Sequence, residues 1–229
     1  MTKPLWTQGL IIGVFMYLGM ILQTLGLQFT TASRSGFITG LCVIFVPLLV
    51  IFIERRLPQK TVLFGVILAT LGLYLLSNPR AGSWNRGDTL TLFSALAFAF
   101  QIIFISIFGK KSDPFGIAFM MLAMTSLFSL INGLFVETFV FHLTLQTLII
   151  ILYMALICTT FTFAIQVHWQ PKTTSTAAAV IYTSEPVFAF IFAMLVLNER
   201  LSIFGWIGAG FILAGMVVTE IRKELAAAH

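Results

Sequence analysis

Residues 174–202 read TSTAAAVIYTSEPVFAFIFAMLVLNERLS. The run is apolar or small nearly throughout. At about 1.5 Å per helical residue it is long enough to cross a hydrocarbon core of about 30 Å. Near its middle Glu185 is followed directly by Pro186. A carboxyl group at bilayer depth costs roughly 3 kcal/mol on insertion scales. The proline removes the amide that would bond the carbonyl of Tyr182, so the helix weakens where the charge sits. A charge beside an interrupted backbone suits a polar cavity inside a membrane bundle, not a passive anchor.

The rest of the chain agrees with that environment. Of its 229 residues 59% are hydrophobic and 9% charged, with a mean hydropathy of +1.03. Soluble domains carry about 25% charged residues, so there is too little polar material here to cover a globule. The sequence predicts an all-α polytopic membrane protein. Eight apolar segments stand out, at 6–26, 32–52, 61–77, 89–108, 115–136, 146–169, 175–197 and 203–221. The first ends at Gln23-Thr24 rather than at a small-residue cleavage site and is too long for a signal peptide. Asp88, Asp113 before Pro114, and Ser202 stand where helix caps are needed.

Basic residues set the orientation. Lys3, Arg55, Arg56, Lys60, Lys110, Lys111, Lys172, Arg222 and Lys223 fall on one side, and Arg34, Arg80, Arg86 and Arg200 on the other. The richer side is expected to be cytoplasmic, in the cell (inner) membrane, with both termini inside. The net charge of +5 is thus a topology signal and not a nucleic-acid footprint.

The chain also repeats itself. At one constant offset of 143 residues Thr30-Thr31 meets Thr173-Thr174, Gln23 meets Gln166, Ile38 meets Ile181, and Phe45 meets Phe188. Gly65 meets Gly208 and Gly72 meets Gly215 in the same register. One offset held across three successive helices is the mark of a duplication. Five helices separate the copies, an odd number, so equivalent helices run in opposite directions, as in many secondary transporters. The expected organisation is an incomplete first repeat of three helices (1–80), a second repeat of five (88–222) and a tail (223–229), with Leu225–His229 set apart from function. Two helices, on the order of 55 residues, would complete the first copy.

The stretches LQTLGLQFTTASRSGFITGL (22–41), TSEPVFAFIFAMLVLNERLS (183–202) and GWIGAGFILAGMVV (205–218) resemble the EamA-type branch of the drug/metabolite transporter superfamily. The resemblance covers essentially the whole chain. It implies an inner-membrane carrier built on two inverted five-helix repeats, exporting amino acids, metabolites or drugs. By that template this chain begins at the third helix.

Candidate substrate-binding residues are the polar groups at membrane depth: Glu185, Tyr182, Gln166, Gln101, Gln23 and Arg34. On one continuous helix Ile181, Tyr182, Phe188 and Ala189 would share the face of Glu185. That carboxylate can orient helices, bind a substrate amine or exchange a proton; the structural alternative is a carboxylate bonded to a neighbouring helix. The glutamines offer donor and acceptor without charge, for a solute or for a neighbouring helix. Arg34 can attract anions, pair with a carboxylate, or snorkel to the interface. Thr39 and Ser184 are weaker candidates, since membrane hydroxyls often bond their own backbone. In the first copy the place of Glu185 is taken by Cys42. Cys42 and Cys158 lie in apolar runs and imply neither disulfide nor metal. The glycines on the third and eighth segments suggest close packing between the halves, or a homodimer through those helices.

No catalytic residue, metal or cofactor is called for. His142 and His168 fall at opposite helix ends, and neither His-Glu-x-x-His nor Gly-x-x-x-x-Gly-Lys occurs. The expected partners are a small-molecule solute and the lipid bilayer, with no nucleic acid. The expected function is a secondary transporter, an exporter of small organic solutes working by alternating access; the alternative is a non-transporting scaffold or inactive fragment.

Overall fold

A computed structural model of the chain describes residues 4–77, 83–136, 144–197 and 202–227. Arg80, His142 and the Asn198-Glu199-Arg200 cluster lie outside them. Among the described residues all regular structure is helical: α1 (Leu5–Leu27), α2 (Ala32–Gly40), α3 (Cys42–Ile53), α4 (Lys60–Ser77), α5 (Arg86–Phe108) and α6 (Pro114–Val136). α7 (Leu145–Tyr153) continues through a π-helical segment, Met154–Phe161, into α8 (Thr162–Trp169). α9 (Ser175–Tyr182), α10 (Glu185–Leu197) and α11 (Ile203–Ala227) complete the order.

Six of these runs are long and apolar enough to span a membrane, counting α2 with α3 and the 145–172 helix as one each. The α9–α10 pair and Ile203–Thr219 supply two shorter apolar segments, so the eight expected segments all reappear as helix. α11 runs on to Ala227, into the tail that sequence set apart, because Arg, Lys, Glu, Leu and Ala are strong helix formers.

The caps follow side-chain chemistry. The Asp113 carboxylate accepts the Gly116 amide at 2.6 Å, with Pro114 in the first helical position of α6. Ser202 accepts the Gly205 amide at 3.1 Å and caps α11. Asp88 plays a different part from the cap expected of it. The N-cap of α5 is Asn85, whose side-chain oxygen accepts the Asp88 amide at 2.9 Å, and Asp88 returns the bond to the Asn85 amide at 3.0 Å. This is a reciprocal capping box, with Asp88 in its third helical position.

The chain forms two compact units, each drawing on both halves of the sequence. One comprises Met1–Tyr17 and Phe104–Thr173. Its core packs Ile12 and Met16 of α1 against Ile105, Ile117, Met121 and Val167. Gly9 and Gly13 let α1 approach α6 so closely that a Cβ on Gly13 would lie 2.8 Å from the Met124 Cβ. The Thr125 hydroxyl donates to the Gly13 carbonyl at 3.2 Å.

The other unit comprises Leu18–Ile103 and Thr174–His229. At its centre α4 and α11 lie antiparallel, nearly backbone on backbone. A Cβ on Gly72 would meet the Gly208 carbonyl at 2.5 Å, and one on Gly208 would meet the Gly72 carbonyl at 2.6 Å. Gly65 and Gly215 stand in the same mutual relation, 2.8 Å each way. Because Gly65 corresponds to Gly208 and Gly72 to Gly215, each of the two contacts is the image of the other under exchange of the two copies. Self-complementary contacts of this kind define a two-fold interface. Equivalent helices run oppositely about it, so the repeat is inverted. In lipid, where no hydrophobic force draws helices together, such small-residue seams supply the packing.

Candidate functional site

The second unit contains two interrupted helices, and they break at the same place in the repeat. Thr31 caps α2 by accepting the Arg34 amide, and Thr174 caps α9 by accepting the Ala177 amide. Leu41 separates α2 from α3, and its carbonyl accepts the Ile44 and Phe45 amides at 2.9 and 3.2 Å. Ser184, its counterpart 143 residues on, accepts the Val187 and Phe188 amides at 3.0 and 3.2 Å. The second break comes before Pro186, which lies in the first turn of α10, where its missing amide loses nothing. The Thr183 and Ser184 hydroxyls turn back onto the Val180 and Ile181 carbonyls at 2.6 and 2.7 Å, covering the end of α9.

The break changes the surroundings of Glu185. Tyr182 closes α9 while Glu185 opens α10, so the shared face expected of one continuous helix does not carry across. Glu185 instead occupies the first turn of a half-helix, where the positive end of the helix dipole favours a carboxylate. It is exposed and makes no hydrogen bond or ion pair among the described residues. Its counterpart Cys42 opens α3, is buried, and is close enough to feel the Glu185 charge. Equivalent residues that approach each other lie near the axis relating the two copies. Two broken helices meeting at such an axis, one presenting an unpaired carboxylate, are the elements from which mid-membrane binding sites are made.

The other predicted residues take varied places. Gln23 donates to the Thr39 hydroxyl at 3.1 Å, joining α1 to α2. Gln101 is buried on α5, and its side-chain nitrogen has no hydrogen-bond partner among the described residues. Tyr182 is half-buried. Arg34 pairs with the fully buried Asp88 at 2.6 Å; Thr30 donates to the same carboxylate at 2.9 Å. Gln166 belongs to the first unit, where it donates to Gln170, which donates to Ser106 at 2.8 Å. The sequence reading missed the Arg34–Asp88 pair and the nearness of Cys42 to Glu185. The repeat register held a signal for the second, because it aligns the two residues.

Comparison with known proteins fits this architecture. Residues 85–221 match the EamA-like transporter family. The chain is 34% identical to an uncharacterized transporter of Archaeoglobus fulgidus over 214 residues, covering 93% of this chain and 68% of the relative. It is 28% identical to the uncharacterized transporter YetK of Bacillus subtilis over 224 residues, covering 93% of this chain and 66% of the relative. A crystal structure at 17% identity superposes with a TM-score of 0.75 over 97% of this chain and 79% of that one, a likeness of fold. The inverted helices, the paired breaks and the family match lead to one conclusion: this chain belongs to the EamA-like transporter family.

Proposed function

We propose that the chain serves a secondary transporter of small organic solutes, exporting amino acids, metabolites or drugs from the cytoplasm by alternating access. The observation carrying this reading is Glu185, unpaired at the mouth of a half-helix near the middle of an apolar span. An intramembrane carboxylate without a structural partner is available to a substrate amine or to a proton. Tyr182, Gln101 and Gln23 offer hydroxyl and amide groups in the same unit. Arg34 is tied to Asp88, so a solute acid would have to compete for it; Gln166 is tied to Gln170 within the first unit. The copies related by the two-fold would rock to open the site to each face in turn. The membrane is the cell (inner) membrane, with both termini cytoplasmic, as the distribution of basic residues favours.

The test is solute uptake into inside-out vesicles, with and without a proton gradient, comparing the unaltered chain with Glu185→Gln. The expected result is at least a tenfold loss of uptake, about 1.4 kcal/mol in the barrier, with unfolding temperature unchanged. Undiminished uptake in the variant would remove Glu185 from the mechanism. A second reading is a non-transporting scaffold; the chain spans about two thirds of the length of the relatives it matches. Failure of unaltered protein to move any solute, alongside stable association with another membrane protein, would favour it.

A further inference from the structure

The first unit gathers its charge at one corner. Its described residues include three cations, Lys110, Lys111 and Lys172, and one acid, Asp113. Lys110, Lys111 and Asp113 stand in the turn between α5 and α6, and Lys172 closes the 3-10 turn Gln170–Lys172 that follows α8. The two turns touch. Gly109 lies against the Pro171 ring with no room for a Cβ, so any larger residue there would drive the turns apart. The start of α1 joins the same corner through Leu5, which would lie 2.9 Å from a Cβ on Gly116.

The four charges are held in different ways. The Asp113 carboxylate is committed to the Gly116 amide at 2.6 Å. The Lys172 ammonium stands over the Trp169 ring, 3.6 Å from its centroid, where the negative face of the aromatic fixes a cation. Lys110 and Lys111 are exposed, and neither side chain has an ion-pair or hydrogen-bond partner among the described residues. Beside them Trp169 and Phe115 are exposed as well, and the His168 ring stands between, 5.2 Å from Trp169 and 6.2 Å from Phe115. A topology signal needs only lysines somewhere in a loop. It needs neither two turns packed together nor an ammonium seated on an indole.

Tryptophan prefers the headgroup level of a bilayer, where its ring is apolar on one side and wet on the other. An ammonium seated on that ring stands at the level of the lipid phosphates. We propose that this corner binds the headgroup of an anionic phospholipid. Lys172 and the Lys110-Lys111 pair meet its phosphate oxygens, and an acyl chain runs along Trp169 and Phe115. The chemistry recognised is a phosphodiester of net negative charge. A zwitterionic headgroup fits less well, because its own ammonium meets three lysines.

The experiment uses the 229-residue chain with Trp6→Phe, Trp84→Phe and Trp206→Phe, so that Trp169 is the one emitter, reconstituted from the purified, folded protein. Vesicles mix plain lipid with brominated phosphatidylglycerol or with brominated phosphatidylcholine on both leaflets, so orientation does not matter. Quenching of Trp169 is expected to show a preference of about threefold for the anionic lipid. The preference should fall to near unity when Lys110, Lys111 and Lys172 are all changed to Gln, and persist in Lys172→Arg, which keeps both charge and ring contact. If the three-tryptophan variant does not fold, spin-labelled lipids give the same comparison on the unaltered tryptophans, as the fraction of each lipid immobilised by the protein. The proposal is overturned if the unaltered lysines show no preference, or if Lys172→Arg abolishes it. It is equally overturned if changing Arg55, Arg56 and Lys60 to Gln lowers the preference as much, which would make it a general effect of surface charge. Loss of the preference on adding inorganic phosphate at constant ionic strength would identify a free anion as the ligand instead of a lipid, and would overturn it too.

Discussion

At the residue scale the chain separates polar groups that are spent from those that are free. Arg34 and Asp88 are spent. Asp88 is fully buried and receives Arg34, Thr30 and the Asn85 amide. Removing one partner leaves the other ion stranded in a low-dielectric site, whereas breaking an exposed pair costs little. Arg34→Met is therefore expected to lower stability by about 3 kcal/mol, and Asp88→Asn similarly. The combined variant should lose less than the two single losses added together, since each removes the same interaction. Thermal unfolding in detergent of the four proteins checks this; additive losses would show that the pair carries no coupling. Sequence allowed Arg34 a carboxylate partner but leaned to snorkelling at the interface. A pairing across 54 positions depends on how α2 and α5 come together, which spacing alone does not encode.

At the element scale the seam between α4 and α11 gives opposite expectations for one substitution. Gly72→Ala places a methyl against the Gly208 carbonyl and the Ile212 amide nitrogen, and both of these are backbone, so the helices must part. A loss of about 2 kcal/mol or more is expected. Gly210, on the same helix as Gly208, has nothing within 4 Å of a built Cβ. Gly210→Ala should gain somewhat under 1 kcal/mol from helix propensity alone. Equal effects at the two positions, read by thermal unfolding, would mean the seam is looser than described. Arg55 offers a further case: it follows α3 with a φ of 52°, a left-handed conformation that glycine adopts freely. Arg55→Gly should stabilise the protein by about 1 kcal/mol. The spans were legible because a bilayer demands long apolar runs. The α9–α10 break was legible in part through Pro186, but its position two residues earlier depends on the Thr183 and Ser184 hydroxyls. The break at Leu41 had no proline to mark it; only its alignment with Ser184 pointed there. The π-helical segment left no local signature.

At the scale of the whole molecule the inverted repeat could be read from seven or so coincidences at one offset, and the structure turns them into contacts. Gly65 and Gly72 meet the images of each other, which random alignment of apolar helices would not produce. The division into compact units was not legible, because α1 and α5 each contribute residues to both. Orientation rests on the charge count, and it gives a direct expectation. Reporter tags that mature only in the cytoplasm should be active at either terminus and silent when inserted at Trp84. Removing the charges of Lys110 and Lys111 should weaken that preference. A silent tag at both termini would invert the topology.

One consequence concerns the electric field across the bilayer. Glu185 lies about midway along an apolar run, which in the proposed transporter places its charge roughly halfway through the membrane potential. An elementary charge gains or loses about 2.3 kcal/mol per 100 mV across the full thickness, hence roughly half that between Glu185 and either surface. Any proton or amine that reaches this carboxylate from one face and leaves by the other takes the voltage in two comparable steps. Turnover in the proposed cycle should therefore rise and fall with membrane voltage. Neutralising the one carboxylate should flatten that dependence even where some transport survives.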